Sequence, residues 1–183
     1  MLSEPRSDVP FPLPDHLPKP IGRTVHEPAR DIPVLAECDL LVVGGGPAGL
    51  IDASAAARAG AGVILVERYG FLGGMATAAA VTILHSLYGT DAQTKVIGGL
   101  PEEVVRRLQD CGSARNHARD GETGPWTIDT EAAKLVCDDI VIGSGVKLLF
   151  HARFAGVLRD GDRVTAALIE TKSGRVAVQA KAF

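Results

Sequence analysis

The sequence predicts an α/β fold in which a parallel sheet is followed by an antiparallel β-meander. A short β-branched run at residues 39–43 leads through a cluster of glycines into an alanine-rich helical segment and then into a second apolar run, residues 63–66. This order is typical of a βαβ unit with a right-handed crossover. A third apolar run follows at residues 146–150. The three alternating stretches beyond it are separated by Asp-Gly and Ser-Gly turns, which indicate a meander.

Composition narrows the class of protein. The chain has 183 residues, of which 46% are hydrophobic and 22% charged, as in ordinary globular domains. A net charge of -3 argues against a nucleic-acid-binding surface, and no apolar run approaches the ~20 residues that a membrane helix needs. The N-terminus lacks the apolar core of a secretory signal. We therefore expect a cytoplasmic protein with neither a nucleic-acid nor a membrane partner.

Cys38, Cys111 and Cys137 lie far apart in the chain, without the close spacing of thiolate ligands. The sequence therefore predicts free thiols and no metal or iron–sulfur site.

Proline divides the chain into an arm and a domain. Eight of the eleven prolines lie within residues 1–34. Because proline removes a backbone donor and restricts φ, this stretch is predicted to be an extended, loosely held N-terminal arm. Residues 35–183 are predicted to form the folded domain.

The first glycine turn carries the clearest functional pattern. Gly44, Gly46 and Gly49 satisfy G-x-G-x-x-G between the first strand and its helix. The first glycine permits a sharp turn, the second lets a pyrophosphate approach the backbone, and the third lets the helix pack closely on the strand. Pro47 suits the first helical turn, whose free amides and positive dipole end would face the phosphates. The turn therefore predicts a dinucleotide site formed by Gly44, Gly45, Gly46, Pro47, Ala48 and Gly49.

The residues after the second strand narrow the choice of nucleotide. Glu67 ends that strand, where it is placed to accept hydrogen bonds from ribose hydroxyls and to repel a 2′-phosphate, which leaves NAD or FAD. A second glycine pair, Gly73-Gly74, follows within a few residues. A second turn lined by backbone suits a larger ligand with an extended pyrophosphate, and so favours FAD over NAD.

These motifs resemble the start of the FAD-dependent oxidoreductases of the glutathione-reductase-like type with two dinucleotide-binding domains. The opening "GGGPAG … VER.G.LGGMAT" is most similar to relatives of heterodisulfide reductase. The resemblance implies a Rossmann-like FAD-binding domain with an accessory β-meander and a small-molecule substrate or electron donor and acceptor. It also implies cofactor contacts by Glu67 at ribose, by Arg68 near adenine or ribose, and by the backbone of Phe154 at adenine. The remaining implied contacts, near the pyrophosphate and flavin, are Gly73, Gly74, Met75, Ala76 and Thr77.

Two positions depart from that family pattern. Met75 stands where the commoner glycine-doublet form has arginine, which leaves a phosphate charge contact there without its usual residue. Asp52 replaces a small apolar residue of the first helix and is expected to face solvent.

The middle of the chain predicts core helices rather than a site. Residues 78–87 are apolar enough for a helix or a buried segment beside the flavin, and His85 within them is expected to have no catalytic role. A helix is predicted over residues 101–110, followed by a loop at 112–125. A second helix is predicted over residues 129–142, with Asp129 as N-cap and Gly143 as its stop.

The predicted function is two-electron transfer by an FAD-dependent oxidoreductase, with no residue assigned as catalytic acid or base. In the resembled family the last strand leads into an Ala-Thr-Gly motif and a substrate domain, so the chain is expected to be a truncated portion of such an enzyme that binds FAD weakly on its own. Two alternatives stay open, an NAD-dependent dehydrogenase and a non-catalytic nucleotide-binding fragment.

Overall fold

A computed structural model describes residues 16–18, 21–119 and 121–183 of the chain. These residues form nine strands and three helices, in the following order: β1 (Val34–Val43), α1 (Pro47–Arg58), β2 (Val63–Val66), β3 (Ile83–Leu84), α2 (Leu100–Asp110), β4 (Ala114–Asn116), β5 (Trp126–Ile128), α3 (Thr130–Gly143), β6 (Lys147–Leu149), β7 (Arg153–Asp160), β8 (Arg163–Thr171) and β9 (Gly174–Ala182). Every helix among the described residues is too short or too polar to cross a membrane.

The chain divides into two units, Met1–Asp31 and Ile32–Phe183. In the first unit, residues 21–31 form neither helix nor strand. Residues 1–15 and 19–20 of the predicted arm lie outside the described residues. The second unit contains the strands and helices named above, and its first strand begins at Val34.

The main sheet of the second unit has six strands in the order β6-β2-β1-β9-β8-β7. β2 and β9 flank β1, and both run parallel to it; β6 is parallel to β2. β8 and β7 continue the sheet in antiparallel orientation. The predicted α/β fold with a parallel sheet and a meander is confirmed. The meander is not a separate layer, because β9 joins it directly to β1.

Both faces of the sheet are buried at its centre. All four residues of β2 are buried, as expected for a strand inside a parallel sheet. One face packs against the helices in a cluster that includes Leu65, Leu50 and Ile140. The opposite face contains Leu41 and Ile64 in a second cluster with residues of β8 and β9. Strand β2 is therefore buried on both faces, whereas β1 is exposed mainly towards its two ends.

The helix boundaries follow the predicted signals with one exception. Asp129 caps α3, where its Oδ1 accepts a hydrogen bond of 2.8 Å from the Ala132 amide. The predicted stop at Gly143 is wrong, since α3 includes this residue. Gly145 has φ +88° two residues later, and the left-handed conformation it adopts is the one that ends helices.

Residues 78–87 and 112–125 differ most from their prediction. Residues 78–87 contain no helix, and most are exposed or half-buried. Ile83–Leu84 is instead strand β3, and part of the predicted loop at 112–125 is strand β4. The two flank β5 in a three-stranded antiparallel sheet with the order β3-β5-β4. Strands of two or three residues carry too little alternation to be recognised in the sequence.

An ion-pair network connects α1 and α2. The Glu103 carboxylate accepts hydrogen bonds of 2.7 and 3.1 Å from Arg58 and of 2.7 and 3.0 Å from Arg107. The hydrogen bonds from Arg58, more than those from Arg107, lower the pKa of Glu103 from its ordinary value to about 2. The carboxylate side chain is only 15% exposed, so its charge is screened less than that of a surface residue.

This lowered pKa predicts a pH dependence of stability. A carboxyl whose pKa is lower in the folded state stabilises the fold above its unfolded pKa and loses that contribution as pH falls through the folded pKa. We expect Glu103→Gln to reduce the free energy of unfolding at pH 7 by about 1–2 kcal/mol, a value discounted because both arginines are partly exposed. The difference in free energy of unfolding between the wild type and Glu103→Gln should shrink as pH falls from about 4.5 to about 2. Urea unfolding across this range measures it.

Asp110→Asn provides the control for the Glu103 experiment. Asp110 pairs with Arg106 at 3.6 Å, and both side chains are more than 60% exposed. Its replacement should change the free energy of unfolding by less than about 0.5 kcal/mol. An equal effect of the two variants would contradict the proposed contribution of the network.

Candidate functional site

The turn after β1 folds tightly on itself. Gly44 adopts φ +105°, which L side chains rarely adopt, and its amide donates a hydrogen bond of 2.8 Å to the carbonyl of Val66 on β2. A Cβ on Gly49 would lie 2.0 Å from the carbonyl oxygen of Gly44. The chain can therefore pass from β1 into α1 in this conformation only with glycine at position 49.

The outer side of the same turn is open. A Cβ on Gly46 would have Gly74 Cα, 4.0 Å away, as its nearest neighbour. Gly46 is the N-cap of α1, and no side chain caps this helix. Among the described residues, the amides of Gly46, Ala48 and Gly49 have no protein acceptor. Unpaired amides at the positive end of a twelve-residue helix favour an anion, and the missing side chain at position 46 leaves room for one.

The second glycine turn lies directly against the first. The Gly73 amide donates a hydrogen bond of 2.9 Å to the Gly45 carbonyl, and a Cβ on Gly74 would lie 2.8 Å from Gly46 Cα. Gly74–Ala76 form one turn of 3-10 helix. The two predicted glycine motifs, 24 or more residues apart in sequence, thus form one backbone-lined surface.

The residues after the glycine pair differ in what they contact. Thr77 is buried, and its hydroxyl donates to the Leu72 carbonyl at 2.7 Å, so it closes the turn from within. Ala76 is half-buried and lines an apolar cavity described below, whereas the Met75 side chain is 66% exposed. A contact of Met75, Ala76 or Thr77 with a cofactor stays a prediction.

Glu67 is buried beside the first turn. Its Oε2 accepts a hydrogen bond of 2.7 Å from the Gly45 amide, and its Oε1 accepts one of 2.9 Å from the Tyr69 amide. The carboxylate therefore connects the end of β2 to the glycine turn, a structural role that the sequence analysis did not predict. Each carboxylate oxygen has a second lone pair, so the predicted contact with ribose remains compatible with this geometry.

A cavity of about 260 Å³ opens at the carboxyl ends of β1 and β2. Its lining brings together predicted site residues from three parts of the chain and adds others: Val43, Gly44, Val66, Glu67, Arg68, Ala152, Arg153 and Phe154. Ligands of open α/β sheets bind at this end of the strands. Phe154, the one aromatic residue of β7, lines this cavity and is 43% exposed.

Arg153 and Ala152 are cavity residues that the sequence analysis missed. They reach the cavity because the chain between β6 and β7 is hydrogen-bonded to the residues that directly follow β2. The Ala152 amide donates to the Glu67 carbonyl at 2.9 Å, and the His151 amide donates to the Tyr69 carbonyl at 3.1 Å. His151 adopts φ +52° at this junction. In the sequence, the only signal that Ala152 and Arg153 belong to the cavity is their position immediately before Phe154.

An apolar cavity of about 180 Å³ lies between the three helices, next to Pro47 and Gly73. Cys137 lines it, and burial raises the pKa of this thiol to about 12. The thiol is therefore protonated at neutral pH and does not act as a nucleophile there. His85 is exposed and does not line this cavity.

Another cavity, of about 360 Å³, opens at the amino ends of β2 and β6. Two of the charged side chains that line it pair with each other, because Lys181 contacts Asp39 at 2.6 Å. It lies at the end of the sheet opposite the glycine turns, so it is not part of the same site. Among the described residues, no group of three or more His, Cys, Asp or Glu side chains could hold a metal ion.

Comparisons with known proteins agree with this geometry. The family model for "FAD dependent oxidoreductase" matches residues 39–183. A search of curated protein sequences finds no match. Among solved structures, Thermovibrio ammonificans THI4 is 20% identical with a TM-score of 0.51, and the match covers 79% of this chain and 55% of that chain. The TM-score shows a shared fold, and at 20% identity the match shows no more than that.

Two further structures match at similar levels. A 3-ketosteroid-delta4-(5alpha)-dehydrogenase from Rhodococcus jostii RHA1 is 19% identical with a TM-score of 0.55, over 81% of this chain and 45% of that chain. The anhydrotetracycline hydroxylase OxyS from Streptomyces rimosus is 15% identical with a TM-score of 0.57, over 79% of this chain and 30% of that chain. The chain thus matches about a third to just over half of each of these three structures.

Proposed function

This chain belongs to the FAD dependent oxidoreductase family, and we propose that its two glycine turns bind the pyrophosphate of FAD. One observation carries the proposal: the turns meet where the missing side chain of Gly46 leaves open space, beside three amides that have no acceptor among the residues the structure describes. A pyrophosphate needs such donors and such space. The residues present therefore fit the cofactor of the family.

The cavity at the strand ends supports a place for the adenosine half of FAD. Its volume of about 260 Å³ and its combination of a carboxylate, two arginines and an exposed phenylalanine suit a sugar and a planar base. We propose that Glu67 accepts from ribose while it holds the Gly45 amide, and that Arg68 and Phe154 contact adenosine. The Gly73–Thr77 segment would then border the rest of the cofactor.

The proposed activity is two-electron transfer. FAD bound at this site would supply the redox chemistry, the transfer of an electron pair between a reduced small-molecule donor and an acceptor. The residues of this chain bind and orient the cofactor. We also propose a cytoplasmic location, supported by three unpaired cysteines, which are typical of a reducing compartment.

Gly46→Ala tests the proposed pyrophosphate site. The added Cβ has no protein atom closer than 4.0 Å, so the cofactor-free variant should unfold at the wild-type temperature. The same methyl group occupies the space proposed for the pyrophosphate, and we expect FAD to bind about tenfold or more weakly, equivalent to about 1.4 kcal/mol or more. Calorimetric titration with FAD and thermal unfolding measure the two quantities.

Gly98→Ala is the matched control, since its Cβ would have Glu102 Oε2 at 3.6 Å as nearest neighbour and lies outside both turns. It should bind FAD like the wild type. Wild-type affinity in the Gly46 variant would place the pyrophosphate elsewhere.

A non-catalytic nucleotide-binding role is the second candidate, because the open glycine turn and its free amides account for binding of a nucleotide alone. Photoreduced or dithionite-reduced FAD on the wild-type chain separates the two roles. Reoxidation by a small-molecule acceptor faster than that of free reduced FAD supports an oxidoreductase; an unchanged rate supports the binding role.

A further inference from the structure

Four side chains form a column beside the cavity at the strand ends. The Arg68 guanidinium carbon lies 4.6 Å from the centre of the Tyr69 ring. The rings of Tyr69 and Phe71 are stacked at 5.6 Å with an angle of 6° between their planes. The Lys134 ammonium lies 4.4 Å from the Phe71 ring. Each of the two cations thus lies over one ring of a stacked pair, and the electrons of that ring attract it.

The column ends where adenosine is proposed to bind. Arg68 lines the cavity of about 260 Å³ together with Glu67 and Phe154. Arg68 is exposed, and no carboxylate among the described residues pairs with it, so the Tyr69 ring is the partner that the structure shows for its guanidinium. The ring therefore restricts the conformations of a side chain that would otherwise move freely in solvent.

The backbone of Tyr69 is itself fixed relative to the cavity. Its amide donates a hydrogen bond of 2.9 Å to Glu67 Oε1, and its carbonyl accepts one of 3.1 Å from the His151 amide. Behind the Tyr69 ring, the column continues through Phe71 to Lys134 on α3. Tyr69 thus presents a ring of fixed position to Arg68 at the rim of the cavity.

We propose that Tyr69 is a positioning residue that holds Arg68 against the adenosine part of the bound cofactor. The inference rests on the proposed FAD site. A long side chain that is ordered before binding loses less conformational entropy when the ligand arrives, which strengthens binding. Tyr69 acts through Arg68 and through its own amide contact with Glu67, and it need not touch the cofactor.

Side-chain variants of Tyr69 test this role by FAD titration. Tyr69→Leu keeps an apolar contact with Phe71 but removes the aromatic face, and we expect FAD binding to weaken about threefold to tenfold, the range that ordering one long side chain represents. Tyr69→Phe retains the face and should bind within about twofold of the wild type. The unfolding temperatures of the cofactor-free variants separate a loss of affinity from a loss of fold. Wild-type affinity in Tyr69→Leu would overturn the proposal.

A double-mutant cycle shows whether Tyr69 acts through Arg68. Arg68→Ala alone should weaken FAD binding, and adding Tyr69→Leu to it should produce no further loss, because the positioned group is already absent. If Tyr69→Leu lowers FAD affinity equally in the presence and in the absence of the Arg68 side chain, the positioning role is overturned. The cycle uses an exposed arginine, so its reference variant is expected to fold normally.

Tyr88→Leu is the matched control, because Tyr88 is half-buried against the core cluster and leucine retains apolar packing there. It removes the aromatic face of a second tyrosine–cation pair, in which Lys95 lies 5.7 Å from the ring, away from the cavity, and it should leave FAD affinity unchanged. Failure of the wild-type chain to bind FAD would overturn the proposed function together with this inference. Wild-type binding that is insensitive to Tyr69→Leu would overturn this inference alone.

Discussion

Glu67→Ala is expected to destabilise the cofactor-free chain by about 2–4 kcal/mol, because a buried amide left without its acceptor costs about 1–3 kcal/mol and a partly buried one costs less. The two amides concerned belong to Gly45 and Tyr69, which now donate to the carboxylate at 2.7 and 2.9 Å. Loss of the acceptor also removes one connection between the first glycine turn and the end of β2, and leaves the hydrogen bond from the Gly44 amide to the Val66 carbonyl. We therefore expect FAD binding to become undetectable at concentrations that saturate the wild type.

Urea unfolding of the cofactor-free protein and calorimetric titration with FAD measure these two effects. The free energy of unfolding and the FAD affinity of Glu67→Gln should lie between those of the wild type and of Glu67→Ala, since an amide side chain retains one acceptor oxygen and loses the other. Asp52→Ala is the control, because Asp52 is exposed on the adjacent helix α1 and its loss should change stability by less than about 0.5 kcal/mol. Unchanged stability in Glu67→Ala would show that the carboxylate does not hold the turn.

Gly49→Ala is expected to destabilise the chain by about 1–3 kcal/mol, the usual effect of forcing extra atoms into a packed site. Its Cβ would lie 2.0 Å from the Gly44 carbonyl oxygen and 3.1 Å from Val42 Cγ1. The backbone atom cannot rotate away as a side chain could, so either the turn opens or α1 moves off the sheet. Both responses displace the free amides of the turn, and FAD affinity should fall by at least about 100-fold, or about 2.7 kcal/mol.

The matched control for Gly49 is Gly143→Ala. Gly143 is the last residue of α3, and a Cβ there would have no neighbour within 4 Å. Because alanine favours helix over glycine, this variant should be stabilised by up to about 1 kcal/mol and should bind FAD normally. Thermal unfolding and the same titration compare the two variants. Wild-type stability in Gly49→Ala would refute the close packing of the turn.

The difference between Gly46 and Gly49 separates two functions within one turn. At Gly49 the protein itself occupies the position of the missing side chain, whereas at Gly46 the position is open. The first substitution should lower stability and binding together, and the second should lower binding alone. The pair therefore distinguishes a glycine required by the fold from one proposed to serve the ligand.

Much of the fold was predictable because its signals are local. Strand β2 was identified at residues 63–66 from four consecutive apolar residues, and all four are buried. Helix α1 was identified from Pro47 and the glycine turn before it. Asp129 was identified as a helix cap, and its side chain accepts the hydrogen bond expected of one. In each case the structure depends on residues close together in sequence.

Pairings between distant segments were not predictable to the same degree. Strand β1 begins at Val34, earlier than the predicted run at 39–43, because its first half pairs with β9, more than 130 residues later. The small sheet of β3, β4 and β5 likewise forms through partners that no local pattern reveals. Strands of this kind are stabilised by hydrogen bonds to their neighbours more than by their own sequence.

By itself, the sequence determined that a strand, a glycine turn, a helix and an acidic strand end follow one another, since glycine spacing and apolar runs act over a few residues. Tertiary structure alone decided that Gly73 bonds to Gly45, that Glu67 holds the first turn, and that Arg153 joins the cavity. It also decided that Tyr69 lies beneath Arg68. The physical reason is that a hydrogen bond or a ring contact depends on where separate segments meet, and packing sets that meeting point.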